Sequence, residues 1–315
     1  MHPSPILIDT DPGIDDAMAL LFLRARPEVR ITAITTIFGN ADVQSTTRNA
    51  SYLARRFGID APVVVGAAKP LQIDRLSSPT HVHGRDGLGD VLALPDFAPA
   101  AVTERAHEHI VRLARSMPGQ LSILALGPLT NLALALQLDP DIAALVRQVV
   151  VMGGAFGWGG RSGNVSPVAE ANICNDPHAA NIVLAASWPV TVVGLDVTTR
   201  CVFTTEDAQQ LAIGGGEAGR LLWEISRGYE TLYKVHDGLD GCCLHDVAAA
   251  ACLLDPTLFA THTGAIRVVT DGVAIGQTVQ SASGSAASIP PQQACHDVDA
   301  ARLVRMYAET LLARA

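Results

Sequence analysis

Four aspartates stand close together near the start of the chain, in the stretch ILIDTDPGIDDAMAL at residues 6–20. They are Asp9, Asp11, Asp15 and Asp16, and a Pro-Gly pair separates the first two from the last two. Carboxylates this close repel one another and resist ionisation unless a positive charge joins them. The stretch therefore predicts either a helix start, with Asp11 as its cap, or a site that holds a cation through oxygen atoms.

The ligand chemistry narrows the choice of cation. Calcium takes roughly six to eight oxygen ligands from carboxylates, carbonyls and waters. Zinc prefers His and Cys ligands at set spacings, and the sequence has no such set. His245-Asp246, at the head of an Ala-rich helix, could add a ligand or simply cap that helix. HVHG at 81–84 is either a metal-binding fragment or a pair of ordinary loop histidines.

A second polar group lies in the segment SPVAEANICNDP. Its carboxylates and amides, with one asparagine just before them, are Asn164, Glu170, Asn172, Asn175 and Asp176. Such a density of hydrogen-bonding groups suits a ligand with several hydroxyls. The alternative is a loop whose Asn and Asp side chains only support its own turns.

Short apolar runs alternate with helix-like stretches along the chain. The runs predict strands at 5–9, 31–40, 62–66, 121–127, 149–154 and 190–196. The stretches predict helices at 15–26, 46–58 and 128–138. This alternation is typical of βαβ units and a mainly parallel sheet.

Ligands of such sheets bind beyond the carboxyl ends of the strands. Asp11 and Asn40 follow two of the predicted strands, and Leu126-Gly127 and Gly153-Gly154 close two others. We therefore expect these residues to meet at one edge of the sheet. Two further segments, at 153–164 and 280–294, are rich in small residues and predict a long mobile loop and a surface loop.

The composition excludes several classes of partner. The net charge is -9, charged residues make up 17% of the chain, and the lysines are Lys69 and Lys234 alone, which does not fit a nucleic-acid binder. No apolar run is long enough for a bilayer, and the first residues do not resemble a signal peptide. The six cysteines have no C-x-x-C spacing. We expect reduced thiols and a cytoplasmic location.

Taken together, the motifs resemble the inosine-uridine preferring nucleoside hydrolases. DTDPGIDDA is similar to the N-terminal signature of that family. Further segments follow in the family's order: FGN (38–40), HVHG (81–84), LGPLTNLALAL (126–136), VVVMGGA (149–155), AEANICNDPHAA (169–180), GLDVT (194–198) and LHDVAAA (244–250). The resemblance covers about residues 5–255 and weakens after that.

The resemblance implies one α/β domain over residues 1–315, with a mostly parallel Rossmann-like sheet and a bound calcium ion. The calcium ligands implied by position are Asp11, Asp16, Asp246 and the backbone carbonyl of Leu126. The residues matching ribose-binding positions are Asp15, Asn40, Asn164, Glu170 and Asn172. Those matching positions near the base or the mouth of the site are His83, Tyr229, Tyr233 and His245.

The implied activity is hydrolysis of the N-glycosidic bond of ribonucleosides, purine or pyrimidine. A water held by calcium would be the nucleophile and Asp11 the general base. His245 would protonate the departing base, because the ordinary pKa of histidine, about 6.5, makes protonation accessible at neutral pH. Relatives are usually homodimers or homotetramers, so the resemblance also implies an oligomer.

Two residues depart from the pattern of the family. Ala171 stands where many relatives have an aromatic residue, and Arg85 stands where many have an acid. Both changes, and the unusual segment 280–294, concern the base side and the periphery. The sequence therefore predicts ribonucleoside hydrolysis without predicting the preferred base.

Two other classes fit parts of the sequence. A strand that ends in D-x-D also begins the haloacid-dehalogenase-like phosphohydrolases, in which Asp9 would attack phosphate, but neither Lys69 nor Lys234 is placed to bind it. A calcium-dependent nucleoside-binding protein without turnover would have no need of a base such as Asp11. A Rossmann dehydrogenase fits least well, because no G-x-G-x-x-G follows the first strand.

Overall fold

The chain folds into alternating strands and helices, which the computed structural model describes over residues 3–92, 94, 104–281 and 290–314. The strands are β1 (Ser4–Thr10), β2 (Val29–Thr36), β3 (Val63–Val65), β4 (Ser122–Ala125), β5 (Gln148–Met152), β6 (Val190–Val193), β7 (Val202–Thr204), β8 (Gly241–Cys243), β9 (Phe259–Gly264), β10 (Ile266–Val268), β11 (Thr278–Gln280) and β12 (Gln292–Val298).

The helices are α1 (Ile14–Arg24), α2 (Val43–Phe57), α3 (Thr80–His83), α4 (Ala106–Ser116), α5 (Thr130–Leu138), α6 (Ile142–Leu145), α7 (Ala171–Asn175), α8 (Pro177–Ala185), α9 (Leu195–Thr198), α10 (Thr205–Gly214), α11 (Gly216–Asp237), α12 (His245–Leu254) and α13 (Ala300–Leu312). Three 3₁₀ turns lie at Trp158–Gly160, Pro256–Leu258 and Gly272–Ala274.

One eight-stranded sheet organises the fold, in the order β3-β2-β1-β4-β5-β6-β12-β9. The first seven of these strands run parallel to their neighbours, and only the edge strand β9 is antiparallel, to β12. The predicted α/β class and mostly parallel Rossmann-like sheet are confirmed. The predicted single domain over 1–315 stays a prediction.

Both faces of the sheet are covered, which explains the continuous apolar runs in the sequence. Along β1, Ile6 and Ile8 pack into one buried cluster with α1, α11 and α12, while Leu7 packs into another with α4, α5 and α8. Strand order reverses at β1, because β2 lies on one side of it and β4 on the other. A crevice opens at such a switch point beyond the carboxyl ends of the strands.

The two predicted loops differ in outcome. Residues 153–164 form an irregular segment between β5 and α7, interrupted by the 3₁₀ turn at Trp158–Gly160. The loop predicted over 280–294 is shorter than expected, because β12 already begins at Gln292, where its backbone pairs with β9. Residues 282–289 of that prediction lie outside the described residues.

Two smaller expectations can be compared with the structure. All six cysteines are free and buried. Among the described residues, no helix has both the length and the apolarity needed to cross a bilayer.

Candidate active site

The acidic stretch lies at the switch point, where β1 passes into α1. Asp11 follows the strand, Gly13 is the N-cap of α1, and Asp15 and Asp16 fall in its first turn. Asp16 Oδ2 accepts a hydrogen bond of 2.9 Å from Gly13 N, so Asp16 does support the helix start. The expectation that Asp11 caps the helix is wrong, because its Oδ2 accepts instead from Asn40 N at 2.7 Å, beyond β2.

Three carboxylates from two helices converge in this crevice. Oxygen atoms of Asp15, Asp16 and Asp246 lie within 4.8 Å of one another, and all three residues are buried. Asp246 belongs to the first turn of α12, whose N-cap Leu244 makes no side-chain cap. In the part of the chain that the structure describes, no group of this kind includes His81 or His83.

Three carboxylate oxygens at this crevice, including one of Asp11, have no hydrogen-bond partner although they are buried. They are Asp11 Oδ1, Asp15 Oδ1 and Asp246 Oδ2. A buried charge without a partner is costly, so such oxygens call for a cation or a bound polar ligand. The donor set therefore fits a hard divalent cation, which prefers oxygen ligands.

Burial and mutual repulsion act together on these acids. Burial, reinforced by the charges of neighbouring aspartates, raises the pKa of Asp11 and of Asp246 well above the ordinary value. Burial also raises the pKa of Asp15 and of Asp16 to about 6. A bound cation would reverse this effect, because an opposite charge favours the ionised carboxylate.

The ligand set implied by the resemblance is brought together in part. The tight group holds Asp15 in place of Asp11, although the charge of Asp11 bears on both Asp16 and Asp246. Leu126 directly follows β4, and its carbonyl accepts from Asn172 Nδ2 at 2.8 Å, which leaves a second lone pair. The metal roles of Asp11 and Leu126 stay predictions.

Two glycines make room for Asp11. A Cβ on Gly127 would lie 2.5 Å from Asp11 Oδ1, and one on Gly39 would overlap Asp11 Oδ2. These glycines follow β4 and β2, the two neighbours of β1. The ends of all three strands thus shape the pocket around one carboxylate.

Glu170 provides a second fixed carboxylate, as the N-cap of α7. Its Oε1 accepts from Asn172 N at 2.9 Å, and its Oε2 accepts from Gly154 N at 2.9 Å and Ile173 N at 3.1 Å. Burial nevertheless raises the pKa of Glu170. The structure therefore fixes this side chain in one orientation.

The two other asparagines predicted to bind ribose are placed differently. Asn40 is half-buried and its Nδ2 donates to Asp16 Oδ2 at 3.0 Å, inside the acidic cluster. Asn164 is exposed, and its Oδ1 accepts from Ala171 N at 3.0 Å. Asn164 thus lies at the rim and bonds the residue that follows Glu170.

The residues predicted near the base form a connected aromatic group. Tyr229 and Tyr233 share one face of α11, as their spacing predicts, with hydroxyls 3.2 Å apart. Tyr233 Oη lies 2.6 Å from His245 Nε2, and His245 Nδ1 lies 2.7 Å from Thr198 Oγ1. His83 packs its ring 5.6 Å from that of Tyr229 and accepts at Nδ1 from Ile14 N at 3.2 Å.

Both histidines of this group are neutral near pH 7. Burial lowers the pKa of His83 and of His245 to about 4. The expectation that His245 keeps an ordinary pKa is therefore wrong, because its imidazole is buried in the protein. A cation bound nearby would lower the pKa further.

The two departures from the family pattern lie near the rim. Arg85 is largely exposed, with 88% of its side chain accessible and its Nε 3.6 Å from Asp90 Oδ2. Ala171 is half-buried between Glu170 and Asn172. Sequence reasoning gave no role to Asp196 or Thr198, although both belong to the quoted GLDVT segment at the end of a predicted strand.

Comparison with known proteins confirms the family that the motifs resemble. The sequence model of the inosine-uridine preferring nucleoside hydrolase family matches residues 6–305 of the chain. A probable uridine nucleosidase 1 of Oryza sativa subsp. japonica is 42% identical over 89% of this chain and 85% of its own. An inosine-uridine preferring nucleoside hydrolase of Crithidia fasciculata is 34% identical over 96% of this chain and 93% of its own.

Solved structures give the same result. The plant nucleoside hydrolase PpNRh1 superposes with a TM-score of 0.93 at 37% identity, over 99% of each chain. A purine-preferring ribonucleoside hydrolase from Gardnerella vaginalis has a TM-score of 0.91 at 30% identity, over 98% of this chain and 99% of its own. Fold and site thus define a ribonucleoside hydrolase, an enzyme that cleaves N-glycosidic bonds. The chain belongs to the inosine-uridine preferring nucleoside hydrolase family.

Proposed function

We propose that the protein hydrolyses purine and pyrimidine ribonucleosides to ribose and free base with calcium as its cofactor. The observation that carries the proposal is the buried acidic cluster at the switch point, in which Asp11, Asp15 and Asp246 each keep an oxygen without a partner. We assign the cation to Asp11, Asp16, Asp246 and the Leu126 carbonyl. When bound, calcium would hold sugar hydroxyls and lower the pKa of a water.

Asp11 is the general base of the proposed reaction. Its Oδ2 is held by Asn40 N, whereas its buried Oδ1 is free to take a proton from the attacking water. The absence of side chains at Gly127 and Gly39 provides the space that the carboxylate occupies. A base fixed in this way contributes about 10²–10⁴-fold to a rate.

The sugar lies between Asp15 and Glu170 in this proposal. Cleavage of the glycosidic bond builds positive charge on the sugar ring, as in other glycoside hydrolyses. Glu170 cannot rotate, because three backbone N–H groups hold its two oxygens. Its charge therefore stabilises the transition state without a reorganisation cost.

His245 and the two tyrosines form the proposed path for the proton that the departing base needs. A continuous chain of hydrogen bonds joins His245 Nε2, Tyr233 Oη and Tyr229 Oη. The imidazole is neutral at rest, so its part in this path is to orient the Tyr233 hydroxyl, and the proton that the chain delivers is replaced from solvent. His83 packs its ring against Tyr229 on the same side of the site.

A substrate panel tests the proposed function. Inosine, adenosine, guanosine, uridine, cytidine and 2′-deoxyuridine are incubated with the protein, with and without a calcium chelator, and released reducing sugar is measured. We expect turnover of ribonucleosides, loss with chelator and recovery on adding calcium. The deoxynucleoside should react poorly because it lacks the 2′-hydroxyl. Binding without release of sugar would identify a nucleoside-binding protein, and full activity in chelator would exclude the calcium assignment.

The relatives do not determine the preferred base, because their names include uridine nucleosidases and a purine-preferring ribonucleoside hydrolase. The homodimer or homotetramer and the cytoplasmic location implied by the resemblance stay part of this proposal. Sedimentation of the purified protein would test the first.

A further inference from the structure

The short helix α9 lies between the two sides of the site and has no assigned role. It follows β6, and its first residue, Leu195, donates from its backbone N to Gly154 O at 2.9 Å. Gly154 in turn donates from its own N to Glu170 Oε2 at 2.9 Å. Gly154 therefore contacts the ribose-side carboxylate and the start of α9 at the same time.

Asp196, the second residue of α9, ties the helix to the segment 153–164. Its Oδ2 accepts from Phe156 N at 2.9 Å and its Oδ1 from Trp158 N at 2.7 Å. Only 6% of Asp196 is exposed, so these bonds are shielded from water. Hydrogen bonds from backbone N–H groups to a buried carboxylate are among the stronger ones in proteins.

Thr198, at the end of the same helix, contacts the imidazole of the leaving-group path. Its Oγ1 lies 2.7 Å from His245 Nδ1, while Tyr233 Oη lies 2.6 Å from the other ring nitrogen. The two partners differ in kind, because only the tyrosine leads on toward a second hydroxyl, that of Tyr229. A hydroxyl that accepts from Nδ1–H would leave Nε2 to exchange its proton with Tyr233.

We infer that Thr198 and Asp196 are positioning residues for the leaving-group proton: Thr198 accepts from Nδ1–H of His245, and Asp196 fixes the helix that carries Thr198. The inference rests on the proposed function. In the step concerned, the C–N bond breaks, and the departing base keeps its electron pair and takes a proton from the chain of hydroxyls that His245 orients. Solvent water replaces that proton in the chain.

The same geometry links the two sides of the scissile bond. Hydrogen bonds join Glu170 to Gly154, Gly154 to Leu195 at the start of α9, and Thr198 at the end of α9 to His245. A shift of α9 would therefore change the distance between the fixed carboxylate and the imidazole. Small displacements of this sort are costly in catalysis, where about 1 Å can cost 10²-fold.

The test compares a leaving group that needs a proton with one that does not. Inosine releases a basic nitrogen, whereas p-nitrophenyl β-ribofuranoside releases an anion that is stable without protonation. We expect Thr198→Val to lower kcat on inosine about tenfold or more and on the nitrophenyl riboside less than twofold, within the range expected for acid catalysis. Thr198→Ser should restore inosine turnover, and Asp196→Asn should show the same selectivity.

Controls separate this role from general loosening of the fold. Thr199→Val removes the neighbouring hydroxyl, which bonds Leu195 O and Arg161 but not His245, and should leave the ratio of the two substrates unchanged. Equal loss on both substrates in Thr198→Val, or no loss on either, would overturn the inference. Thermal unfolding monitors folding, and Thr198→Val carries the test if Asp196→Asn does not fold.

One more variant distinguishes this inference from the proposed function. His245→Ala should be selective for inosine in the same way. If His245→Ala is selective and Thr198→Val is not, only the positioning role fails. If neither is selective while the unmodified protein is active, the leaving-group path and the inference both fail. A protein that hydrolyses no ribonucleoside would refute the proposed function itself.

Discussion

The site has two halves that differ in how their polar atoms are satisfied. In the carboxylate half, formed by Asp11, Asp15, Asp16, Asp246 and Glu170, three acids keep buried oxygens without partners. In the aromatic half, hydrogen bonds join Tyr229, Tyr233 and His245, and His83 packs its ring against Tyr229. Burial raises the pKa values of the first half and lowers those of the two histidines.

The difference shows which half needs an outside partner. Like charges in a buried crevice are tolerated only if a cation or protons compensate them. A chain of neutral hydroxyl and imidazole groups needs neither. We therefore expect the carboxylate half to control whether any substrate reacts, and the aromatic half to control how strongly the rate depends on the leaving base.

Loss of Asp11 should have the largest effect and should act on every substrate alike. Asp11→Ala removes the free Oδ1 proposed as base, so kcat should fall by about 10²–10⁴-fold on both inosine and uridine. Initial rates of sugar release measure this, with the exposed Asp60→Ala as a control that keeps normal rates. Near-normal turnover of the Asp11 variant would contradict its role as base.

Loss of His245 should have a smaller effect that depends on the base. His245→Ala breaks the path through Tyr233, so we expect about 10²-fold slower inosine hydrolysis. Binding of ribose should change little, because the carboxylate half is intact. The kcat and KM values on inosine are to be compared with those of the unmodified protein, and full activity would remove His245 from this function.

An added methyl group next to Asp11 tests how tightly the carboxylate half is built. In Gly127→Ala the new Cβ would meet Asp11 Oδ1 at 2.5 Å and Ile37 Cγ2 at 2.8 Å. We expect about tenfold lower kcat, in line with the cost of small misplacements, and about 1–3 kcal/mol lower stability from overpacking.

The control for this variant is a glycine with free space around it. Gly228 lies within α11, and a Cβ there meets nothing within 4 Å. Gly228→Ala should keep full activity and gain about 0.5–1 kcal/mol, since alanine favours helix. Chemical denaturation measures both variants, and a Gly127→Ala enzyme as active as Gly228→Ala would show that the pocket can relax.

The smallest effect is expected for Glu104, a carboxylate outside the site. Its pKa is shifted in the opposite direction to those of the site aspartates, below the ordinary value. The Arg112 guanidinium, with help from His109, holds the pKa of Glu104 below its ordinary value of 4.5. A lowered pKa means that Glu104 contributes stability above pH 4.5, and that this contribution disappears as pH falls through the folded-state pKa. Glu104→Gln should therefore lower stability by less than about 1 kcal/mol at pH 7, as for other exposed ion pairs.

A series of thermal unfolding measurements at different pH values tests the contribution of Glu104 to stability. Melting temperatures of Glu104→Gln and the unmodified protein should differ at pH 7 and converge as pH falls below the lowered folded-state pKa of Glu104. A constant difference across this range would show that packing, and not the ion pair with Arg112, is responsible.

Local sequence determined the framework and the identity of most chemistry-bearing residues. Continuous apolar runs predicted six of the seven parallel strands, β1 to β6, because a strand covered on both faces has no polar side. The motif DTDPGIDDA predicted a cation site, since its carboxylates are fixed within eight positions by the chain itself. The spacing of Tyr229 and Tyr233 likewise predicted that they share a helix face.

Only the tertiary structure decided which of these groups meet and in what state. Asp246 lies beside Asp15 and Asp16 although it is far from them in the sequence. Likewise, Thr198 of α9 contacts His245 of α12. Both contacts form because the strand order places distant segments side by side. The pKa of His245 depends on burial, which no neighbour in sequence reveals. A sequence thus gives the type and local spacing of charged groups, whereas their solvation and their long-range partners arise only when the sheet and helices enclose them.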